Sequence, residues 1–128
     1  MIFGIGTDLV HIPRMQLLLD KHGDKIAHRI LSDSEFASFQ QANKPAAFLA
    51  KRFAAKEATA KALGTGFRDG LSLRHIAVSN NEYGKPELTF YERGQKLLDE
   101  LNIGRSLLSL SDELEYAIAY VILMERQQ

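Results

Sequence analysis

The residues best suited to do chemistry lie in Arg52-Phe-Ala-Ala-Lys-Glu57-Ala-Thr-Ala-Lys61-Ala-Leu-Gly64-Thr65-Gly66. Glu57 and Lys61 stand at i and i+4, so they share one face of any helix built here. Gly64 is placed to end that helix, and the loop after it would bring backbone N–H groups beside a carboxylate and an ammonium. That combination suits a metal-bound phosphate. Asp8, at the end of the apolar run Ile2–Val10, can supply a second carboxylate. Two carboxylates completed by phosphate and water oxygens suit Mg²⁺, which seldom has a cage made wholly of protein.

By spacing alone, Glu57 and Lys61 also fit an exposed ion pair contributing about 0.3–0.5 kcal/mol. The flanking Ala54, Ala55, Ala58, Ala60 and Ala62 count against that reading. Small side chains allow close packing, and charges on a buried helix are costly unless paired or liganded. Arg52 and Lys56 make a second i, i+4 pair, of like charge, which repels unless an anion lies near. Asp8 follows Gly4-Ile-Gly6-Thr7, the start of a dinucleotide-binding fingerprint, but position 9 is Leu and no βαβ pattern follows. Gly84-Lys85-Pro86 reads first as a hairpin turn and second as a loop whose lysine meets a phosphate. His11, His22, His28 and His75 have no metal-ligand spacing.

Elements that would position these residues follow from the pattern. Ile2–Val10 reads as a short buried strand, with Gly4 and Gly6 allowing close backbone approach. Pro13 suits the first turn of a helix through about His22. Ser32-Asp-Ser-Glu35 fits a capping box opening a helix through about Gln41. Pro45 begins the long helix to Leu63. Leu71–Ser79 and Pro86–Tyr91 read as a hairpin, and Glu92–Leu101 as a helix. Arg105–Ser111 and Tyr116–Met124 are the last strands; the final one is apolar almost throughout and is expected to be central and covered on both faces. The prediction is an α+β fold, a single small domain over residues 1–128 with a largely antiparallel sheet packed against a long helix.

A chain of 128 residues with 45% apolar and 25% charged residues fits an ordinary globular domain. It has no cysteine, which excludes disulfides and thiolate metal sites. No apolar run approaches 18 residues, so no membrane span is expected. Met1-Ile-Phe-Gly-Ile-Gly6 lacks the basic start of a signal peptide, so the expected location is cytoplasmic. Net charge is zero, yet residues 1–68 hold ten Lys/Arg against six Asp/Glu, and the remainder hold six against ten. A basic half can face an anionic ligand or an acidic protein, while a nucleic-acid binder would carry a stronger net positive charge.

Taken in order, Gly4-Ile-Gly-Thr-Asp8-Leu-Val with Arg14, Arg52-Phe-Ala-Ala-Lys-Glu57-Ala with Lys61-Ala-Leu-Gly-Thr-Gly66, Gly84-Lys-Pro86, and Ser109-Leu-Ser-Asp112 with Tyr116-Ala form one pattern. It resembles the holo-acyl-carrier-protein synthases, the short, bacterial-type 4′-phosphopantetheinyl transferases. The resemblance runs from residue 2 to about residue 124. It implies transfer of 4′-phosphopantetheine from coenzyme A to a serine of apo acyl carrier protein, with release of adenosine 3′,5′-bisphosphate, in support of fatty acid biosynthesis. It further implies dependence on Mg²⁺ and a homotrimer with active sites between subunits. Asp8 and Glu57 match the Mg²⁺ ligands, and Lys61 the lysine beside the transferred phosphate. Arg52, Gly64, Thr65, Gly84, Lys85, Pro86 and Ser109 match positions that contact coenzyme A. Arg14 matches the helix that meets the acidic carrier protein, a surface Lys21 and Lys25 would extend. Asp112 stands where some relatives have histidine. Glu57, Asp8 or a metal-bound water could take the serine proton. A catalytically silent module that binds coenzyme A or a carrier protein is the alternative.

Overall fold

The computed structural model describes residues 1–127. It is an α+β fold with two antiparallel sheets. One has the order β1–β5–β4, formed by β1 (Ile2–His11), β4 (Ile103–Glu113) and β5 (Tyr116–Glu125). The other pairs β2 (Ile76–Asn80) with β3 (Pro86–Phe90). The helices are α1 (Ile12–His22), α2 (Asp24–Ile30), α3 (Asp33–Gln40), α4 (Pro45–Leu63) and α5 (Arg93–Glu100).

Helix α4 organises the molecule. Pro45 opens it, where the missing N–H costs nothing, and Gly64 ends it in the left-handed conformation at φ 83°. Along its length it packs on β1 and β5. The facing side chains are small on both sides, with Ala54, Ala55, Ala58 and Ala62 on the helix and Ala117 and Ala119 on β5, all buried. Small residues on both surfaces let the helix settle close to the sheet. Gly4 and Gly6 serve the same approach on β1: a Cβ at Gly6 would lie 2.0 Å from the Ala58 carbonyl oxygen. A capping box opens α3, with Ser32 accepting from the Glu35 N–H and Glu35 accepting from the Ser32 N–H.

Four expectations need correction. β1 is an edge strand of ten residues rather than a buried one, with Ile5 and Leu9 exposed. β5 is central as expected, but within the chain it is covered on one face only: Ala117, Ala119, Val121 and Leu123 are buried while Tyr116, Ile118 and Tyr120 are exposed. The apolar residues on its outer face are therefore surface residues of the chain. The strand expected from Leu71 begins at Ile76, because Leu73–His75 forms a 3-10 turn in which the His75 ring accepts from the Ser72 N–H. Helix α2 was not anticipated; it starts directly after Gly23, whose φ of 59° turns the chain out of α1.

Candidate active site at the junction of the long helix and the first strand

Successive residues of a strand alternate faces, so Gly4, Gly6, Asp8 and Val10 share the face turned toward α4. The glycines bring that face under the helix, and Asp8 comes next, partly buried with its side chain 16% exposed. Glu57 and Lys61 project from the helix above it. Lys61 Nζ donates to Asp8 Oδ1 at 3.0 Å and to the Thr7 carbonyl at 2.9 Å. The ammonium thus turns to the strand rather than to Glu57, its neighbour one helical turn away.

Glu57 is left as the second carboxylate. Partial burial, and then the charge of Asp8, raise its proton affinity above that of an ordinary carboxylate, with Lys61 opposing. A carboxylate whose proton affinity is raised by a second one beside it makes a place where a divalent cation would relieve repulsion. Among the described residues no group of three or more His, Cys, Asp or Glu side chains could hold a metal. Mg²⁺ does not need one, because it is commonly held by one or two carboxylates with water and substrate phosphate completing the shell. The residues present therefore fit the ion.

A cleft of about 320 Å³ lies further toward the start of α4, lined by Phe48, Lys51, Arg52, Asn80, Gly84, Pro86, Leu110 and Asp112. It gathers Arg52 from α4 and Gly84 and Pro86 from the turn between β2 and β3. Lys85 is exposed in the turn, where its backbone N–H donates to Asn81 Oδ1 at 3.0 Å, and does not line the cleft. Lys51 holds Asp112 at 3.5 Å across it. A larger cleft of about 520 Å³, bounded by Ser32, Arg74, His75 and Tyr91, contains none of the residues expected to bind substrate or metal.

Other expected residues fall differently. Gly64 and Gly66 follow Lys61, but their N–H groups are already used: Gly64 donates to the Lys61 carbonyl at 3.0 Å and Gly66 to the Ala60 carbonyl at 3.2 Å. They close the helix and are not open donors, which corrects the expectation of a free phosphate cradle. Thr65 is half-buried, with its hydroxyl donating to the Gly66 carbonyl at 3.1 Å. Ser109 pairs with Tyr120 and shares its outer face, away from Asp8 within the same chain. Arg14, Lys21 and Lys25 are exposed on α1 and α2.

Glu35 was missed. Sequence showed it as half of a capping box, but its carboxylate also reaches Lys56 Nζ at 2.6 Å and lies 3.6 Å from Arg52 Nε. It is the anion that the like-charged Arg52 and Lys56 required. Their i, i+4 repulsion was the one signal that an acid had to be close.

A buried carboxylate, ammonium and guanidinium beneath a cleft, with two further carboxylates and a lysine at the helix–strand junction, describe a site for an anionic, metal-associated substrate. Comparison with known proteins gives this arrangement a class. The family model described as the 4′-phosphopantetheinyl transferase superfamily matches residues 4–121. The holo-(acyl-carrier-protein) synthase of Hamiltonella defensa subsp. Acyrthosiphon pisum (strain 5AT) is 52% identical over 94% of this chain and 96% of its own. The crystal structure of holo-(acyl-carrier-protein) synthase from Neisseria meningitidis superposes with a TM-score of 0.93 at 46% identity, covering 98% of this chain and 100% of that one. The holo-(acyl-carrier-protein) synthase from Bacillus anthracis str. Ames, solved in complex with CoA (3′,5′-ADP), has a TM-score of 0.82 at 35% identity, with 98% of both chains covered. This chain belongs to the 4′-phosphopantetheinyl transferase superfamily.

Proposed function

We propose that this protein transfers the 4′-phosphopantetheine group of coenzyme A to a serine of apo acyl carrier protein. The serine oxygen forms a bond to the phosphorus that carries the pantetheine arm, the pyrophosphate P–O bond breaks, and adenosine 3′,5′-bisphosphate leaves. The observation that carries the reading is the convergence of Asp8, Glu57 and Lys61 at the α4–β1 junction, with Lys61 Nζ 3.0 Å from Asp8. A relative 52% identical to this chain is named holo-(acyl-carrier-protein) synthase, which supports the reading.

Phosphoryl-type transfer asks a protein mainly for positioning and charge neutralisation. Asp8 and Glu57 are the residues that would hold Mg²⁺, which, when bound, neutralises charge developing on the phosphates. Lys61 is exposed enough to turn, with 55% of its side chain accessible. Its ammonium is placed to neutralise or protonate the leaving phosphate oxygen. Arg52, Gly84 and Pro86 would contact coenzyme A through the cleft they line, with Lys85 in the adjoining turn and Gly64 and Thr65 beyond Lys61 at the other end of α4. Arg14, Lys21 and Lys25 would meet the acidic carrier protein, which electrostatics steers toward the basic face.

The outer face of the β1–β5–β4 sheet supports a homotrimer. Ile5, Leu9, Tyr116, Ile118 and Tyr120 are exposed there together, and an apolar patch on a sheet face marks an interface. Ser109 lies on that same face, so its contact with coenzyme A would be made at a boundary between subunits. Tyr120→Glu is expected to convert the assembly from three times the 14.4 kDa chain to monomer and to remove activity with it; light scattering and a transfer assay on one sample check both.

The decisive experiment is intact-protein mass spectrometry of apo acyl carrier protein incubated with this protein, coenzyme A and Mg²⁺. The expected result is a gain of one phosphopantetheine mass, lost when EDTA is present. No gain, together with a melting temperature raised by coenzyme A, would instead identify a silent binder.

A further inference from the structure

Glu35 accepts three hydrogen bonds. Its Oε1 accepts from Lys56 Nζ at 2.6 Å and from the Ser32 N–H at 2.9 Å. Its Oε2 accepts from the Val78 N–H at 2.8 Å. Lys56, fully buried, gives its remaining protons to the carbonyls of Ile30 at 2.6 Å and Leu73 at 3.1 Å. These contacts join α3, α4 and β2 into one unit.

Arg52 is the unfinished member. It is 8% exposed, its Nε has no hydrogen-bond partner among the described residues, and Glu35 Oε2 stands 3.6 Å away. The guanidinium carbon lies 4.4 Å from the Phe48 ring centroid, so the group sits over an aromatic face. One carboxylate therefore faces two cations, and the cluster carries a surplus positive charge out of water. Such a charge is costly unless an anion completes it. The guanidinium borders the cleft beside Gly84 and Pro86, where an anion can reach it.

We propose that Glu35 is a positioning residue for the anionic donor: by drawing Arg52 Nε inward it fixes the guanidinium at the cleft wall, so that phosphate groups of coenzyme A meet an ordered cation. The proposal rests on the functional reading above. Glu35 itself touches no substrate and acts through Arg52. The Val78 N–H contact ties the same carboxylate to the hairpin that carries Gly84 and Pro86. Both walls of the cleft are thereby set from one group.

Glu35→Gln and the double variant Glu35→Gln/Lys56→Met test this in the full-length protein. Glu35→Gln keeps the shape of the side chain and removes the charge; KM for coenzyme A is expected to rise about tenfold with kcat per folded molecule within about twofold. A lower melting temperature with unchanged KM would mean a purely structural role and would overturn the proposal. The double variant also removes the ammonium that Glu35→Gln leaves unpaired, and so carries the test if the single variant fails to fold. A KM that stays raised supports positioning of Arg52; a KM restored to that of the unaltered chain shows that Glu35 serves Lys56 alone. If the unaltered chain transfers nothing, the functional reading fails by itself. The positioning is then read from equilibrium binding of coenzyme A, where no binding, or equal Kd for the unaltered chain and the double variant, overturns it.

Discussion

Glu57→Gln is expected to lower transfer by about 10³-fold, equivalent to about 4 kcal/mol of transition-state stabilisation, while the protein remains folded. Asp8→Ala should do the same, since each removes one of the two carboxylates that the described residues bring to the junction. Stability separates this outcome from simple damage. Burial first, and Asp8 second, raise the folded pKa of Glu57. A raised folded value means that the contribution of Glu57 to stability is fully present below its ordinary pKa of 4.5 and is lost as pH rises through the folded value. Gln has no proton to lose. In EDTA, the melting temperature of Glu57→Gln should therefore gain on that of the unaltered chain as pH rises above 4.5, until the folded value is passed. Mg²⁺ should reverse the order, because a ligand that binds only the folded state stabilises only the chain able to hold it. Melting curves across pH, with and without Mg²⁺, check both halves. Full activity in both variants would remove Asp8 and Glu57 from the metal site, and a Glu57→Gln protein that melts lower at every pH would make Glu57 a structural residue.

The parts of this site that could be read in the sequence are those fixed locally. The capping box at Ser32 and Glu35, the span from Pro45 to Leu63 and the glycine stop at Gly64 all depend on neighbours within a few residues, and all are found where the pattern places them. The parts that could not be read depend on which surfaces meet. Lys61 had an acid one turn away in Glu57, yet it bonds Asp8, 53 residues distant, because the strand passes beneath the helix at that point. Glu35 lies 21 residues from Lys56, and no spacing rule joins them. Helix α2 has seven residues and begins directly at the Gly23 turn, too short for a periodic apolar stripe to stand out. The apolar run in β5 is central as its composition predicts, but composition does not say which surfaces meet it: Tyr116, Ile118 and Tyr120 are exposed, and a strand expected to be covered on both faces has one side bare within the chain.

The most damaging single substitution outside the charged residues should be Gly6→Ala. The added Cβ would lie 2.0 Å from the Ala58 carbonyl oxygen and 2.8 Å from the Ala62 nitrogen. Both atoms belong to helix backbone, and no side-chain rotation can clear them. Relief requires α4 to lift from β1 by about an ångström, in an interior packed too densely to absorb it. We expect a loss of about 3 kcal/mol or more and a melting temperature lower by about 10 °C. The functional loss should exceed the loss of folded protein. Asp8 is on the strand while Glu57 and Lys61 are on the helix, so lifting one from the other opens the 3.0 Å contact between Lys61 and Asp8. Displacement of reacting groups by about 1 Å costs on the order of 10²-fold in rate. Gly23→Ala is the control: its φ of 59° also favours glycine, but no atom lies within 4 Å of the added carbon. At φ 59° and ψ −146° it should cost about 2 kcal/mol through backbone strain alone. If both variants melt alike, the close contact of β1 with α4 is not what holds the helix in place. If Gly6→Ala melts lower and the folded fraction is inactive, Gly6 is as much a part of the active site as the acid that follows it on the same face.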